Sequence, residues 1–139
     1  MNDQDLFTTC YFLLKIPDID QIGWFTRCSG LELTFDVYDY REGGNNDFVH
    51  RLPGGVRYPN LVLSRGLTNE EALIKWVWAT HTKAMRKEVT LTLKAPSKER
   101  SWAFADAFPI RWTGPEMDSH GSGIATETLE IAHSGLRLA

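Results

Sequence analysis

The side chains able to do chemistry in this sequence are few and scattered. Four histidines, His50, His81, His120 and His133, lie far apart, with neither the i, i+4 pairing nor the Cys-x-x-Cys partners of a zinc site. No Gly-x-Ser-x-Gly elbow presents a nucleophilic serine. Gly121-Ser122-Gly123 lacks the third glycine of a dinucleotide fingerprint, and there is no Walker A sequence to cradle a phosphate. Gly43-Gly44-Asn45-Asn46-Asp47 offers oxygen ligands without the spacing of a calcium loop, and reads as a turn in which Gly and Asn accept positive φ. Cys10 and Cys28 fall in apolar runs and read as reduced core thiols. The residues thus point to no catalytic group, no metal and no cofactor. Two minor readings stay open: a hydrolase whose Ser, His and Asp meet only in space, and a small-ligand-binding β-barrel with an internal cavity.

Composition narrows the class further. A chain of 139 residues makes one domain, 1–139, able to bury roughly two thirds of its unfolded surface. The net charge is -3, from 15 basic and 18 acidic residues, and no Lys/Arg cluster exceeds Arg86-Lys87, so the basic stripe of a nucleic-acid binder is missing. No run of about 18 apolar residues predicts a membrane span, and the acidic start Met1-Asn2-Asp3-Gln4-Asp5 lacks the basic region of a signal peptide. The expectation is synthesis in the cytoplasm, no membrane anchor, and exit only by lysis or within a particle.

The elements that must carry a function centre on residues 31–65. Leu31, Leu33, Phe35 and Val37 alternate with Glu32, Thr34, Asp36 and Tyr38, the pattern of a half-buried strand, and Leu61 and Leu63 repeat it. Between them residues 39–59 hold four glycines, two prolines and a charged set. That is far too long for a hairpin loop, and Tyr40, Phe48, Val49, Leu52 and Tyr58 make it too apolar for plain disorder. The stretch predicts an arm, a long hairpin returning at Phe48–Leu52, that buries itself on another copy of the chain. Its candidate interface residues are Tyr40, Arg41, Glu42, Gly43, Gly44, Phe48, His50, Arg51, Leu52, Pro53 and Tyr58.

A helix is predicted over about 69–87, opened by a capping box of Thr68 and Glu71 and closed by Arg86-Lys87. Its apolar arc covers roughly 200°, about twice what one sheet needs. Ile74, Trp78 and Met85 form the surplus, which either sinks into the chain's own core or meets a neighbour. Further strands are expected at Phe7–Ile16, Ile22–Cys28, Val89–Lys94, Trp102–Phe108 and Ile124–His133. The fold class is therefore mainly β, an antiparallel barrel or two-sheet sandwich with one flanking helix and a long inter-strand arm. Several strands have an outward side of Thr and acids: Thr34, Asp36, Thr90, Thr92, Thr126, Thr128 and Glu130. Such a side is either ordinary solvent surface or the wall of a water-filled channel between subunits.

The ordered set Ser29-Gly30-Leu31, Tyr40-Arg41-Glu42-Gly43-Gly44, Leu52-Pro53-Gly54, Tyr58-Pro59-Asn60-Leu61-Val62-Leu63, Arg65-Gly66-Leu67, Trp76, Ala107-Phe108-Pro109, Trp112-x-Gly114-Pro115 and Glu127 to Leu136 resembles the tail-tube family of contractile-tailed phages and phage-like contractile injection systems. Phe108 stands where Trp is commoner, and Ser134 where an acid often follows the histidine. The resemblance implies stacked hexameric rings that form a hollow tube inside a sheath. It implies baseplate and tail-terminator partners, a cargo effector or DNA in the lumen, and assembly in a tail or a released particle. The strand-lined wall would face the lumen, and the long loop would contact neighbouring subunits and the adjoining ring. The same family includes a specialised first ring that joins tube to baseplate, and that alternative stays open.

Overall fold

Alternating apolar side chains build two sheets that face one another across a single core. The computed structural model describes residues 6–8, 10–17, 19–41, 43, 49–83, 86–116, 120–121 and 123–139, with residues 20 and 21 described in backbone only. In chain order the strands are β1 Tyr11–Ile16, β2 Ile19–Phe25, β3 Arg27–Ser29, β4 Thr34–Tyr40, β5 His50–Arg57 and β6 Leu61–Gly66. The helix α1 Ala72–Thr82 follows, then β7 Lys87–Ala95, β8 Lys98–Thr113, β9 Thr126–Ala132 and β10 Gly135–Leu138. The main sheet runs β2-β1-β7-β8-β9-β6-β3, with β10 also on β8, and every pairing is antiparallel.

Strand β8 is the corner of the sandwich. Its first half pairs with β7 and β10, its second half with β9, and the register shifts between Pro109 and Arg111. A bulge at a proline bends the strand from one layer into the other, because proline cannot donate to the ladder. Thr26 N donates to Ser64 O at 3.0 Å and draws the two ends of the sheet together without closing a barrel. The outcome is the sandwich form of the expected fold.

The core is made of Leu14, Ile22, Phe25, Leu61, Leu63, Val89, Leu91, Phe104, Leu129 and Ile131, joined by Leu73 and Trp76 from α1. An isolated helix of 11 residues is marginal in water. Burying Leu73 and Trp76, at about 1.5–3 kcal/mol each, is what holds it. It is shorter than predicted at both ends. Thr68 Oγ1 accepts from Glu70 N at 3.3 Å, and no side chain caps the helix at Glu71, so the expected capping box does not form. At the other end Lys83 turns extended, and Lys87 pairs with Ala107 as the start of β7 instead of closing the helix.

The larger correction concerns residues 31–40. They do not form the half-buried strand expected: among the described strands β4 pairs with β5 alone, as a separate two-stranded sheet. The hairpin itself is present, but its return strand is His50–Arg57, not Phe48–Leu52. Alternation shows only that one face is apolar; of that face Leu31 packs against the core, while Leu33, Phe35 and Val37 stay exposed. Strand β10 was not foreseen, since four residues carry too little alternation to announce a strand. Cys28 packs partly into the core, and burial pushes its thiol up to about 12. Cys10 and Cys28 are both free thiols.

The arm leaves and re-enters the sandwich at one place. Gly30 has φ +91°, and a Cβ there would run into the Asn60 carbonyl oxygen. Gly30→Val is therefore expected to cost at least about 1–3 kcal/mol in urea unfolding, from backbone strain alone; an unchanged midpoint would show that the crossing can open at no cost.

Candidate functional site: the arm and the helix groove

The arm has two faces, and both carry apolar side chains. On one, Phe35 faces Val56 and Val37 faces Pro53, with the Asp39–Arg51 ion pair at 3.6 Å beyond them. On the other, Tyr38 faces Leu52 and Tyr40 faces His50, while Arg57 holds Asp36 at 2.9 Å. Between the pairs Phe35–Val56 and Val37–Pro53, β4 advances two residues and β5 three. The bulge falls at Gly54-Gly55, and the Tyr38 ring lies against Gly54 where a Cβ would stand.

Phe35 is 52% exposed and Tyr38 62%, and Val37, Tyr40, Leu52 and Val56 are exposed as well. A two-stranded hairpin is marginally stable alone, and this one makes no substantial contact with another described element. Arg41, Gly43, Arg51 and Pro53 are exposed, His50 and Tyr58 half-buried. Glu42, Gly44, Phe48 and, on the helix side, Met85 lie outside the described residues.

A second apolar surface lies along α1. Trp78 is 63% exposed and Ile74 half-buried, so the surplus arc of the helix is not sunk in the core. Val77, Trp78, Thr80, His81, Phe108, Pro109 and Ile110 line a groove of about 550 Å³.

The polar strand faces divide among three places. Thr34 and Asp36 belong to the arm. Thr126, Thr128 and Glu130 lie on the outer face of β9, where Thr128 meets Ser64 at 3.0 Å and Glu130 accepts from Asn60 at 2.9 Å, with Arg111 at 3.7 Å. Thr90 is half-buried on β7. Thr92 departs from the expectation of a channel-facing residue: it is 4% exposed, its hydroxyl held by Ser101 at 2.9 Å.

Beneath these surfaces is a pair that the sequence reading missed. Arg65 Nε donates to Glu127 at 2.6 Å and Nη1 to the Ile22 carbonyl at 2.7 Å, with both side chains about 95% buried. Trp112 Nε1 donates to the other Glu127 oxygen at 3.0 Å, and the guanidinium lies over the Phe25 ring. Gly23, at φ +111°, makes the room, since a Cβ there would stand 2.6 Å from Arg65 Nη1. Parity was the available signal: Arg65 follows Leu61 and Leu63 at period two, and Glu127 precedes Leu129 and Ile131. The network ties β2, β6, β8 and β9 into one body. Arg65 also lines a surface pocket of about 420 Å³ beside Gly23, Thr26 and Glu70.

Among the described residues no three of His, Cys, Asp and Glu gather in a way that would hold a metal ion. Nor is any described helix long and apolar enough to cross a membrane. A finished sandwich bearing an unfinished arm defines a class of protein, the subunit of an assembly. More narrowly, the chain belongs to the T4-like virus tail tube protein gp19 family, whose model matches residues 8–137. Its role is that of a structural tube subunit.

Among solved structures it is similar to a chain of the anti-feeding prophage baseplate, solved with 6-fold symmetrisation, at 25% identity and TM-score 0.79 over 100% of this chain and 97% of that one. A chain of the anti-feeding prophage tube-terminating cap gives 27% identity and TM-score 0.80 over 100% and 94%. A chain of the PVC extracellular contractile injection system, from its extended sheath-tube complex, gives 22% identity and TM-score 0.81 over 99% and 93%, a likeness of fold. No curated protein matches.

Proposed function

We propose that six copies of this chain close into a ring and that rings stack into the inner tube of a contractile injection system, a hollow conduit for cargo or DNA. One observation carries the reading: a sandwich complete in itself holds out an arm with apolar side chains on both faces. Copies of the chain cover that arm. Tyr40, Arg41, His50, Arg51, Leu52, Pro53 and Tyr58 supply one side of the contact, and Ile74 and Trp78 on the helix another. Because the two surfaces differ, the contact is heterologous, so it closes into rings or continues as filaments. Thr90, Thr126, Thr128 and Glu130 fit the water-filled lumen, and the sheath, baseplate and terminator are the partners along the tube.

The likeness to the anti-feeding prophage baseplate chain favours a second reading, the first ring at the baseplate. Electron microscopy of the purified chain separates the two: open-ended tubes support the tube body, and single rings that never stack support the first ring. A monomer at high concentration would overturn both.

Trp78→Asp tests the groove. With Trp78 mostly exposed, the unfolding free energy should change by no more than about 0.5 kcal/mol, while rings and tubes are lost in sedimentation. Normal assembly by this variant would remove the groove from the interface.

A further inference from the structure

Two motif pieces far apart in the sequence, Tyr58-Pro59-Asn60 and Ala132-His133-x-Gly135, meet in space. The His133 ring lies between Tyr58, with centroids 5.4 Å apart, and Phe104, at 4.8 Å and near-perpendicular. Phe104 is fully buried on β8, whereas Tyr58 is the first residue after β5, where the arm re-enters the sandwich. His133 Nδ1 lies 3.1 Å from the Gly135 carbonyl at the start of β10. The carbonyl can only accept, so Nδ1 carries the proton in the neutral ring. One imidazole thus touches the core, the β9–β10 turn and the root of the arm.

We infer that His133 is the positioning residue of the arm: its neutral ring holds Tyr58 against the sandwich and sets the direction in which the arm leaves, and protonation loosens that hold. The consequence for assembly rests on the proposed tube function; the clamp itself does not. A second attachment two residues along, Asn60 to Glu130, secures the base of the arm, so losing the ring contact frees the arm to swing without detaching it. Tyr58 comes from the arm, Phe104 from β8, the Gly135 carbonyl from β10 and the Pro59 carbonyl from the re-entry. On its own turn, Ser134 Oγ donates to the Asp106 carboxylate at 3.0 Å.

Burial is the leading influence on the imidazole and lowers its pKa from the ordinary 6.5, while the Gly135 and Pro59 carbonyls pull the other way. The sign follows. A histidine whose pKa is lower in the clamped state binds fewer protons there, so the clamp is complete above pH 6.5 and weakens as pH falls through the lowered value.

The test compares the full wild-type chain with His133→Phe, which keeps a ring and cannot titrate, by amide exchange of residues 50–58 at about pH 7.5 and 5.5. After correction for intrinsic exchange, acidification should speed wild-type exchange by up to about tenfold and leave His133→Phe unchanged. Tubes of the wild type should thin out over the same range and those of His133→Phe persist. Equal pH response in the two proteins would overturn the clamp, as would an NMR titration placing the His133 pKa at or above 6.5. Tyr58→Leu supplies an independent arm, since opening that side of the ring should return the pKa toward 6.5. Should the wild type form no rings at any pH, the tube reading fails, while exchange and titration still judge the clamp.

Discussion

Glu127→Ala is expected to lower the unfolding free energy by about 3–5 kcal/mol, because it leaves the Arg65 guanidinium charged, buried and stripped of its partner. The loss spreads beyond one contact: Trp112 Nε1 loses its acceptor in the same step. In a small domain with a total stability of about 5–15 kcal/mol, a change of that size moves the urea midpoint a long way. Arg65→Met with Glu127→Leu should cost less than Glu127→Ala, because no charge is left buried alone, although Trp112 Nε1 and the Ile22 carbonyl still lose their partners. A Glu127→Ala loss below about 1 kcal/mol would mean that Arg65 reaches water or another partner on its own, and the four strands would then need another anchor.

Replacing residues 34–57 with a short flexible linker should abolish rings and tubes while leaving the unfolding free energy within about 1 kcal/mol of the wild type. The geometry makes this excision mild. Ser29 pairs with Val62 and Gly30 touches Asn60, so the chain departs and returns side by side. The excised strands pair with each other and with no other described strand. Exposed apolar rings such as Phe35 and Tyr38 leave with them, so the shortened protein should also be more soluble. Electron microscopy and urea unfolding read the two halves of the result. Normal tubes from the shortened chain would show that the arm is not what joins the copies, and a chain that fails to fold would show that the arm rests on its own sandwich.

Much of this was legible beforehand, for identifiable reasons. The alternation of Leu61 with Leu63, of Val89 with Leu91 and of Leu129 with Ile131 marked core strands correctly, since period two is a local property of an extended chain. The apolar excess of residues 39–59 and of Trp78 also showed in the sequence, because counting apolar side chains needs no coordinates. The helix was overextended because capping and periodicity are weak against a strand that recruits Lys87 from outside. Arg65 and Glu127 share the parity of Leu61, Leu63, Leu129 and Ile131, which sets them inward, but parity does not say that they meet.

By itself the amino-acid order determined which side chains want burial, the mainly β class, the presence of an arm and, through its ordered motifs, the family. Only the tertiary structure decided that Leu33, Phe35 and Val37 remain outside the sandwich, that Arg65 finds Glu127, and that Tyr58 finds His133. Periodicity is written over a few neighbouring residues, whereas the choice of partner is settled by strands brought together from distant parts of the chain, where register and space admit one pairing and exclude the rest.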